Sequence, residues 1–253
     1  MLKISAIIPS FNEEDHIEAA IDSVSFADEI LVVDSFSTDN TVALAKAKGA
    51  KVIQREYVHS ASQKNWAIPQ ATYEWILLLD ADERINDALK KEIQQMLSSK
   101  PTKRGYWIGR LNHYMGQKVR FGNLSGDKVI RLFHRDCRYE EKQVHAEVIV
   151  PGGAGKLQNP LIHYTYKNLS HMMEKADRYT TLGAKDRLAR KKSVGLFDLA
   201  FKPWWNFVHN YFIRLGILDG KVGFVLALYS SYYIFVRSLK LWRLLEGEEL
   251  KGS

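Results

Sequence analysis

The stretch LLLDADE at residues 77–83 decides the fold, because an apolar run there passes directly into two carboxylates, Asp80 and Asp82. A continuous apolar run of this length is typical of a parallel strand that is buried on both faces. The carboxyl ends of such strands open onto binding sites. Two aspartates there predict a site for a hard divalent cation, Mg²⁺ or Mn²⁺, which in turn holds a diphosphate. The alternative is that Asp80 only ends the strand and Asp82 only caps the next helix.

The same order of strand, polar loop and helix recurs along the first 100 residues. The sequence predicts strands at 3–8, 29–34, 51–54 and 74–80, and helices at 14–25, 41–49, 60–68 and 86–98. Strands that alternate with helices in this way predict an α/β fold, with a parallel sheet covered by helices on both faces. No G-x-G-x-x-G follows the first strand and no G-x-x-x-x-G-K-S/T occurs, which disfavours a dinucleotide cofactor and a P-loop.

Polar segments follow three of the predicted strands, at residues 9–13, 34–39 and 80–83. In parallel sheets, ligands bind outside the carboxyl ends of the strands. We therefore expect these three segments to lie together and to form a nucleotide site.

The charge of the chain is unevenly distributed. The 253 residues carry a formal net charge of +7, yet residues 151–253 alone hold 16 Lys and Arg against 8 Asp and Glu. This surplus lies next to many aromatic residues, which indicates an anionic surface as partner. Because Cys137 is the only cysteine and no secretory segment precedes the first strand, we expect a reducing, cytoplasmic compartment.

Four segments taken together resemble the glycosyltransferase family 2 enzymes of GT-A fold. They are IIPSFNEE at 7–14, VVDSFSTDNT at 32–41, SQKNWAI at 62–68 and LLLDADE at 77–83, and their order and spacing match over roughly the first 100 residues. The resemblance implies transfer of a sugar from a sugar nucleotide with inversion at the anomeric carbon. It also implies a metal that stabilises the diphosphate leaving group and one general base for the acceptor hydroxyl.

The resemblance also implies roles for residues at the ends of the first two strands. Pro9 matches the segment that lines the nucleotide pocket, and Asp34 matches the acid that contacts the base. Many members have a second aspartate after this acid, whereas this chain has Ser35. The base contact therefore rests on Asp34 alone or uses the serine hydroxyl as well.

Further roles follow from the third and fourth segments. Lys64 lies where a basic residue approaches the nucleotide, and Asn65 belongs to the same signature. A lysine on the surface of a helix is the competing interpretation of Lys64. By resemblance, Asp80 faces the ribose and Asp82 binds the metal.

After residue 100 the pattern changes to short alternating strands, predicted at 105–116, 128–135 and 142–150, which we expect to form a smaller mixed sheet. In VHAEV, a strand would place His145 and Glu147 on one face. The candidates for the general base are Glu147 and Asp127, and His145 and Arg131 are candidate contacts to the diphosphate or the acceptor. A solvated strand face is the competing interpretation of Glu147, His145 and Arg131.

The C-terminal part contains two aromatic segments edged by basic residues, at 196–220 and 221–245. The longest uncharged stretch, 222–236, is shorter than a membrane span requires. Helices that lie in the bilayer interface fit better, since Trp and Tyr favour that zone and Lys and Arg meet anionic headgroups. Core helices packed on the catalytic domain are the alternative. The segments are too apolar for an exposed single-strand platform, so we expect no nucleic acid as partner.

These features predict three parts: a nucleotide-sugar-binding half (1–100), an acceptor-side mixed sheet (101–165) and an interfacial helical appendage (166–253). The size, VHAEV and LGILDG resemble the bacterial lipopolysaccharide and lipooligosaccharide inner-core β-glucosyltransferases. This narrower resemblance implies UDP-glucose as donor, a heptose of a glycolipid as acceptor, and a peripheral location on the inner face of the membrane. The alternatives are a polyprenyl-phosphate or capsule acceptor, or a non-catalytic membrane-associated scaffold.

Overall fold

A computed structural model describes residues 2–99, 101–114, 116–142, 146–166, 169–190 and 193–249. The chain forms two compact units. The first unit comprises Met1–Leu111 and Gly126–His163, and the second comprises Asn112–Ser125 and Tyr164–Ser253. The three-part division expected from the sequence stays a prediction.

The elements alternate between strand and helix in the first half of the chain and are mainly helical at its end. The strands are β1 (Ile4–Ser10), β2 (Glu29–Asp34), β3 (Lys51–Gln54), β4 (Trp75–Leu78), β5 (Glu83–Arg84), β6 (Gly105–Tyr114), β7 (Gln117–Lys118), β8 (Lys128–His134), β9 (Arg138–Tyr139), β10 (Val148–Ile149), β11 (Gly155–Lys156) and β12 (Leu161–Tyr166). The helices are α1 (Ile17–Ser23), α2 (Thr41–Ala47), α3 (Ser60–Ala67), α4 (Asp87–Ser98), α5 (Leu169–Ala189), α6 (Lys202–Val208) and α7 (Gly220–Leu245).

One mixed sheet dominates the first unit, with strands in the order β3-β2-β1-β4-β8-β6-β12-β5. Strands β3, β2, β1 and β4 are parallel, so their carboxyl ends meet at one edge. Strand β8 pairs antiparallel to β4 and β6 pairs antiparallel to β8. The sheet therefore continues from a parallel half into an antiparallel half without a break.

Strand β4 is buried on both faces, as the run at 77–83 predicts. Leu77 and Leu79 belong to one hydrophobic cluster, while Ile76 and Leu78 belong to another. Because successive side chains of a strand point to opposite faces, these two clusters cover the two sides of the sheet. The apolar run thus contributes side chains to the hydrophobic clusters on both faces of the sheet.

The predicted fold class, α/β with a parallel nucleotide-binding sheet, a small second sheet and C-terminal aromatic helices, is confirmed. Some details differ from the expectation. The strands predicted at 105–116 and 128–135 extend the main sheet, because β8 pairs with the edge of β4 that β1 leaves open. The small second sheet consists of β9 and β10. Of the strand predicted at 142–150, the described residues form only Val148–Ile149.

The second unit is built on long helices that pack on one another. Lys240 of α7 makes four hydrogen bonds to α5: to the backbone oxygen of Asp177 (2.8 Å), to its Oδ1 (2.7 Å), and to Oγ1 of Thr180 (3.0 Å) and Thr181 (2.7 Å). A separate small core forms around Tyr114 and Met172. Among the described residues, length and composition alone make Gly216–Leu245 the one helix that could cross a membrane, although core helices of soluble proteins pass the same test.

Candidate active site

Four charged side chains meet where β4 ends. Lys64 Nζ lies 2.9 Å from Asp80 Oδ1, and the guanidinium of Arg131 contacts the other oxygen of the same carboxylate. Arg131 also binds Glu83 twice, from Nε and Nη2, each at 2.8 Å. The carboxylate of Glu83 in turn accepts a hydrogen bond from the backbone nitrogen of Asp80 (3.1 Å). These contacts fix both the backbone and the side chain of Asp80.

Burial differs sharply within this group. Glu83 is fully buried and Arg131 and Lys64 are nearly so, whereas 35% of the Asp80 side chain is exposed. Burial by itself would raise the pKa of Asp80, but the charges of Arg131 and Lys64 outweigh it and hold that pKa well below its ordinary value. Asp80 is therefore the one member of the group that offers an ionised carboxylate to a ligand. The burial of Lys64 rules out the surface-lysine interpretation.

The group extends to a second ion pair through Arg110. Its Nη2 donates a hydrogen bond to Asp127 Oδ1 (3.0 Å), its Nε forms an ion pair with Asp127 Oδ2 at 2.8 Å, and its Nη1 lies 3.6 Å from Glu83 Oε1. We call Lys64, Asp80, Glu83, Arg110, Asp127 and Arg131 the charged cluster. Its three acids and three bases balance. The carboxylate of Asp127 is paired with the guanidinium of Arg110. A general base in such a pair must accept a proton against the attraction of its counter-ion. The catalytic role of Asp127 stays a prediction.

Asp82 lies beside a histidine from a distant strand. His163 Nε2 is 3.6 Å from Asp82 Oδ2, because β12 pairs with β5 and places His163 opposite Glu83. Both side chains are largely but not completely buried. A carboxylate and an imidazole are a donor pair that suits Mn²⁺ and also serves Mg²⁺ through the carboxylate. Within the part of the chain that the structure describes, no group of three or more His, Cys, Asp or Glu side chains could hold a metal. A bound cation would thus need further ligands from substrate oxygens or water.

Asp34 ends β2 and is completely buried. Its carboxylate accepts hydrogen bonds from the backbone nitrogen of Ser37 (3.0 Å), from the hydroxyl of the same serine and from Gln54 Nε2 (3.0 Å). Ser35 is also buried and accepts a hydrogen bond from Gln63 Nε2 (3.2 Å). These partners hold the loop after β2 in place, and the base contact predicted for Asp34 and Ser35 stays a prediction.

Hydrogen bonds join the loop after β1 to the loop after β2. Asn12 donates from its backbone to Ser37 Oγ (2.9 Å) and accepts from the Thr38 backbone (2.9 Å), while the Glu13 backbone donates to Thr41 Oγ1 (2.8 Å). Residues 12–15 therefore do not begin a helix at 14 as predicted, since their polar groups bind the neighbouring loop and α1 begins only at Ile17. Pro9 lies half-buried on β1, opposite Val33 of β2.

Phe36 stands out within the loop that these bonds hold. Its φ of +61° lies in the left-handed region, and 54% of the residue is exposed. A bulky side chain rarely adopts this conformation, because its Cβ approaches the following carbonyl oxygen. The loop therefore presents an aromatic ring at the carboxyl edge of the sheet at a cost in backbone energy.

Asn65 connects α3 to the small second sheet. Its side-chain amide accepts from the backbone nitrogen of Tyr139 (2.7 Å) and donates to the backbone oxygen of the same residue (2.9 Å). Lys64 Nζ also lies 5.3 Å from the centre of the Tyr139 ring. The pair predicted to approach the nucleotide thus also positions β9.

The predicted base Glu147 lies apart from the charged cluster in its contacts. It is exposed, and its backbone groups pair with Glu140, the oxygen accepting from the Glu140 backbone nitrogen (2.9 Å) and the nitrogen donating to Glu140 Oε2 (3.3 Å). The expected partner His145 lies outside the described residues. The assignment of the base to Glu147 stays a prediction.

Three residues of the site were not identified from the sequence: Glu83, Arg110 and His163. Glu83 was visible in LLLDADE, yet its complete burial depends on Arg131, which is 48 residues away. His163 lies in LIHYTY, whose alternation predicts a strand but not which strand it pairs with. Only the β12–β5 pairing brings this histidine to Asp82.

Comparisons with known proteins show the family. The family model described as glycosyl transferase family 2 matches residues 5–143. An uncharacterized glycosyltransferase of Rickettsia typhi is 34% identical, covering 95% of this chain and 87% of the relative. The lipopolysaccharide core biosynthesis glycosyltransferase LpsC of Rhizobium meliloti is 28% identical, covering 96% and 93%.

Solved structures give a weaker likeness. Glucosyl-3-phosphoglycerate synthase from Mycobacterium tuberculosis, solved with Mn²⁺, UDP and glucosyl-3-phosphoglycerate, has 26% sequence identity and a TM-score of 0.37 over 46% of this chain and 45% of that chain. The family model, which covers more than half of the chain, and the full-length relative from Rickettsia typhi both lead to one conclusion. The protein is a glycosyltransferase of family 2.

Proposed function

We propose that this glycosyltransferase moves glucose from UDP-glucose, with inversion, onto a heptose of the lipopolysaccharide inner core. In this proposal a divalent cation, Mn²⁺ or Mg²⁺, assists the reaction, and the enzyme works at the cytoplasmic face of the inner membrane. The observation that carries the proposal is the Asp82–His163 pair beside the exposed carboxylate of Asp80, at the carboxyl ends of parallel strands.

The donor set at this pair fits a cation that binds a diphosphate. Asp82 and His163 supply one oxygen and one nitrogen ligand, which leaves positions for phosphate oxygens. When bound, the cation would stabilise the negative charge that develops on the departing diphosphate. The chain itself holds Asp80 ionised and in one rotamer through Lys64 and Arg131, so that its carboxylate is ready to accept hydrogen bonds from donor hydroxyls.

Arg131 has a positioning role in this scheme. Both sides of its guanidinium bind carboxylates of the chain, and the side chain is almost fully buried. These contacts support a role in orienting Asp80 more than a direct contact with the diphosphate.

The names of relatives support the sugar and the acceptor. LpsC is named for lipopolysaccharide core biosynthesis and aligns over nearly the whole chain. Glucosyl-3-phosphoglycerate synthase of Mycobacterium tuberculosis is 48% identical over 58 residues, 21% of this chain, and its name specifies a glucosyl product. The surplus of basic residues at 151–253 suits an acidic glycolipid as acceptor.

The test is transfer by the purified protein to heptosylated lipid A, with a set of UDP-sugars and GDP-sugars in the presence of Mn²⁺ or Mg²⁺. We expect a glucosylated product from UDP-glucose, and a rise in melting temperature with UDP-glucose and metal together. The Asp82→Asn enzyme should lose about 100-fold or more of the transfer rate. Asp87→Asn on α4, which is exposed, is the matched control and should keep it.

Each part of the proposal has its own contrary result. Undiminished transfer by Asp82→Ala would refute the metal role. Transfer to a polyprenyl phosphate but not to heptosylated lipid A would refute the acceptor. A protein that neither binds nor uses any sugar nucleotide would refute the donor site and favour the scaffold.

A further inference from the structure

The segment 196–218 of the second unit exposes an unusual number of large apolar side chains. They are Leu196, Phe197, Phe201, Trp204, Trp205, Phe212, Ile213, Leu215, Ile217 and Leu218. No residue of Phe197–Phe201 or Lys202–Val208 is buried, and 57% of Trp204, for example, is exposed. A folded soluble protein rarely leaves so many apolar groups in water unless another surface covers them.

The rings of this segment form a continuous layer. Phe197 stacks on Phe201 with centroids 4.8 Å apart, and Phe201 lies 5.6 Å from Trp204 and 6.5 Å from Trp205. Two wide π-helical turns, Phe197–Phe201 and His209–Ile213, flank α6. Phe197, Phe201, Trp204 and Trp205 are spaced i, i+4, i+7 and i+8, a spacing that places side chains on one face of a helical segment. We call this layer the aromatic shelf.

Basic residues outnumber acidic ones in the sequence around the aromatic shelf. Between residues 187 and 218 the sequence has six Lys and Arg but one acid, Asp198. That acid is shared, since Lys202 Nζ lies 2.5 Å and Arg187 Nη2 lies 3.6 Å from Asp198 Oδ1. Burial and the charge of Arg187 both lower the pKa of Arg237 on α7, whose Nε has no hydrogen-bond partner among the described residues. An added negative charge would stabilise the neighbouring guanidinium groups of Arg187 and Arg237.

We propose that the aromatic shelf, with Arg187 and Lys202 at its edge, docks onto an anionic lipid bilayer and lies in the plane of its interface. Aromatic rings beside lysine and arginine suit the headgroup region, where apolar and cationic groups are both stabilised. A second copy of the chain suits the shelf less well, because a symmetric interface would gather the basic residues of both copies around one apolar patch without adding acidic partners. This proposal rests on the proposed function in one respect: docking on a bilayer brings the enzyme to its acceptor only if the acceptor is a membrane glycolipid.

The packing of the second unit favours lying on the membrane over crossing it. Helix α7 is the apolar one, but Lys240 ties it to α5 through four hydrogen bonds. Helix α5 carries charged side chains along its length, among them Lys175, Asp177, Arg178, Lys185 and Arg187. Hydrocarbon around α7 would have to surround these charges as well, which is unfavourable.

The experiment is co-sedimentation of the full chain with vesicles of phosphatidylcholine alone and with vesicles that contain about 30 mol% phosphatidylglycerol. We expect binding to the anionic vesicles and little binding to the neutral ones. The variant Trp204→Ser/Trp205→Ser should bind about tenfold or more weakly, because two interfacial aromatic rings are lost. Lys202→Gln should weaken binding about fivefold.

Matched controls come from the first unit, where Val58 and Ile149 are as exposed as the tryptophans and Lys91 is an exposed lysine. Val58→Ser, Ile149→Ser and Lys91→Gln should bind like the native chain. Circular dichroism of every variant checks that the helices remain.

The outcomes separate this proposal from the catalytic one. Native-like vesicle binding by the tryptophan variant, or equal binding of the native chain to neutral vesicles, would overturn the docking surface even if sugar transfer is observed. A native dimer that the tryptophan variant turns into a monomer, without vesicle binding by either, would assign the shelf to a second copy and also overturn it. Vesicle binding in a protein that transfers no sugar would leave the docking surface supported and the enzymatic proposal refuted.

Discussion

Phe36 is held in a backbone conformation that glycine would adopt without strain. The hydrogen bonds of Ser37 to Asp34 and of Asn12 to the neighbouring loop keep it there. Residues held in sparsely populated conformations cluster at functional sites, where surrounding contacts over-determine them. The conformation of Phe36 in the loop after β2 therefore lowers the free energy of unfolding somewhat and keeps the ring exposed.

Two variants that both remove the ring measure this strain. Phe36→Gly should be more stable than Phe36→Ala by about 1 kcal/mol, because alanine keeps the Cβ that disfavours positive φ. Urea unfolding of the two proteins gives the difference. Equal free energies of unfolding would show that the backbone relaxes at this position and stores no strain.

Asp80 should contribute a pH-dependent part of the stability. Its pKa is lowered in the folded state against about 3.9 in an unfolded chain, so the unfolded state binds more protons in acid. The contribution is complete above the unfolded pKa and is lost as the pH falls toward the lower folded pKa. Asp80→Asn should therefore be less stable by about 2 kcal/mol at neutral pH and should lose less stability between about pH 5 and pH 2.

Urea unfolding of native chain and variant across this pH range provides the measurement. Asp87→Asn, which removes an exposed carboxylate on α4, is measured in parallel as the control. A native slope in Asp80→Asn would mean that other carboxylates account for the acid sensitivity.

At the scale of elements, Lys240 is the polar link between α5 and α7. Its ammonium group is mostly buried and donates to Asp177, Thr180 and Thr181. Lys240→Met keeps most of the side-chain volume but leaves the threonine hydroxyls and the Asp177 carboxylate without this donor. We expect a loss of about 2 kcal/mol.

Hydrogen exchange of the intact chain locates this loss. In Lys240→Met, amides of α5 and α7 should exchange faster, whereas those of β1 and β4 in the other unit should not change. Lys185→Met on the exposed side of α5 is the matched control and should exchange like the native chain. Unchanged protection of α5 in Lys240→Met would show that apolar packing alone holds the two helices.

Local pattern was enough to predict the parallel half of the sheet. The bounds predicted for β2 and β3 match the structure, because each is a β-branched apolar run between polar loops. The start of α1 was wrong, since Asn12 and Glu13 bind a loop that lies 25 or more residues away. Short-range capping rules contain no information about such a partner.

The surroundings of Asp80 and Asp82 depend on pairing between distant strands, which local sequence patterns do not predict. Asp80 and Asp82 could be placed at a strand end, because both follow the apolar run that leads to them. Their different surroundings could not be predicted, because Arg131 arrives on β8 and His163 on β12. Strand order is set by the packing of the whole sheet, which no window of the sequence contains.

At the scale of the whole molecule, the basic excess of residues 151–253 makes the response to salt informative. Transfer to an acceptor embedded in anionic vesicles should fall steeply as ionic strength rises, because salt screens the attraction of exposed cations to the bilayer. Transfer to a deacylated, water-soluble form of the same acceptor should change little. Initial rates over a salt series give both curves. Parallel curves would mean that salt acts on the chemistry or on the donor.

Because of the charged cluster, the effect of a substitution at one of its six positions depends on the residues at the others. Its six side chains come from positions between 64 and 131, and each is neutralised by partners in another segment. Losing one charge leaves its buried partner without a counter-ion, which costs far more than the pair gains over apolar replacements. These positions are therefore expected to change together or not at all during evolution. A chimera that joins the first 100 residues of one relative to the remainder of another should be less stable than either parent unless both parents carry the same charges at these positions.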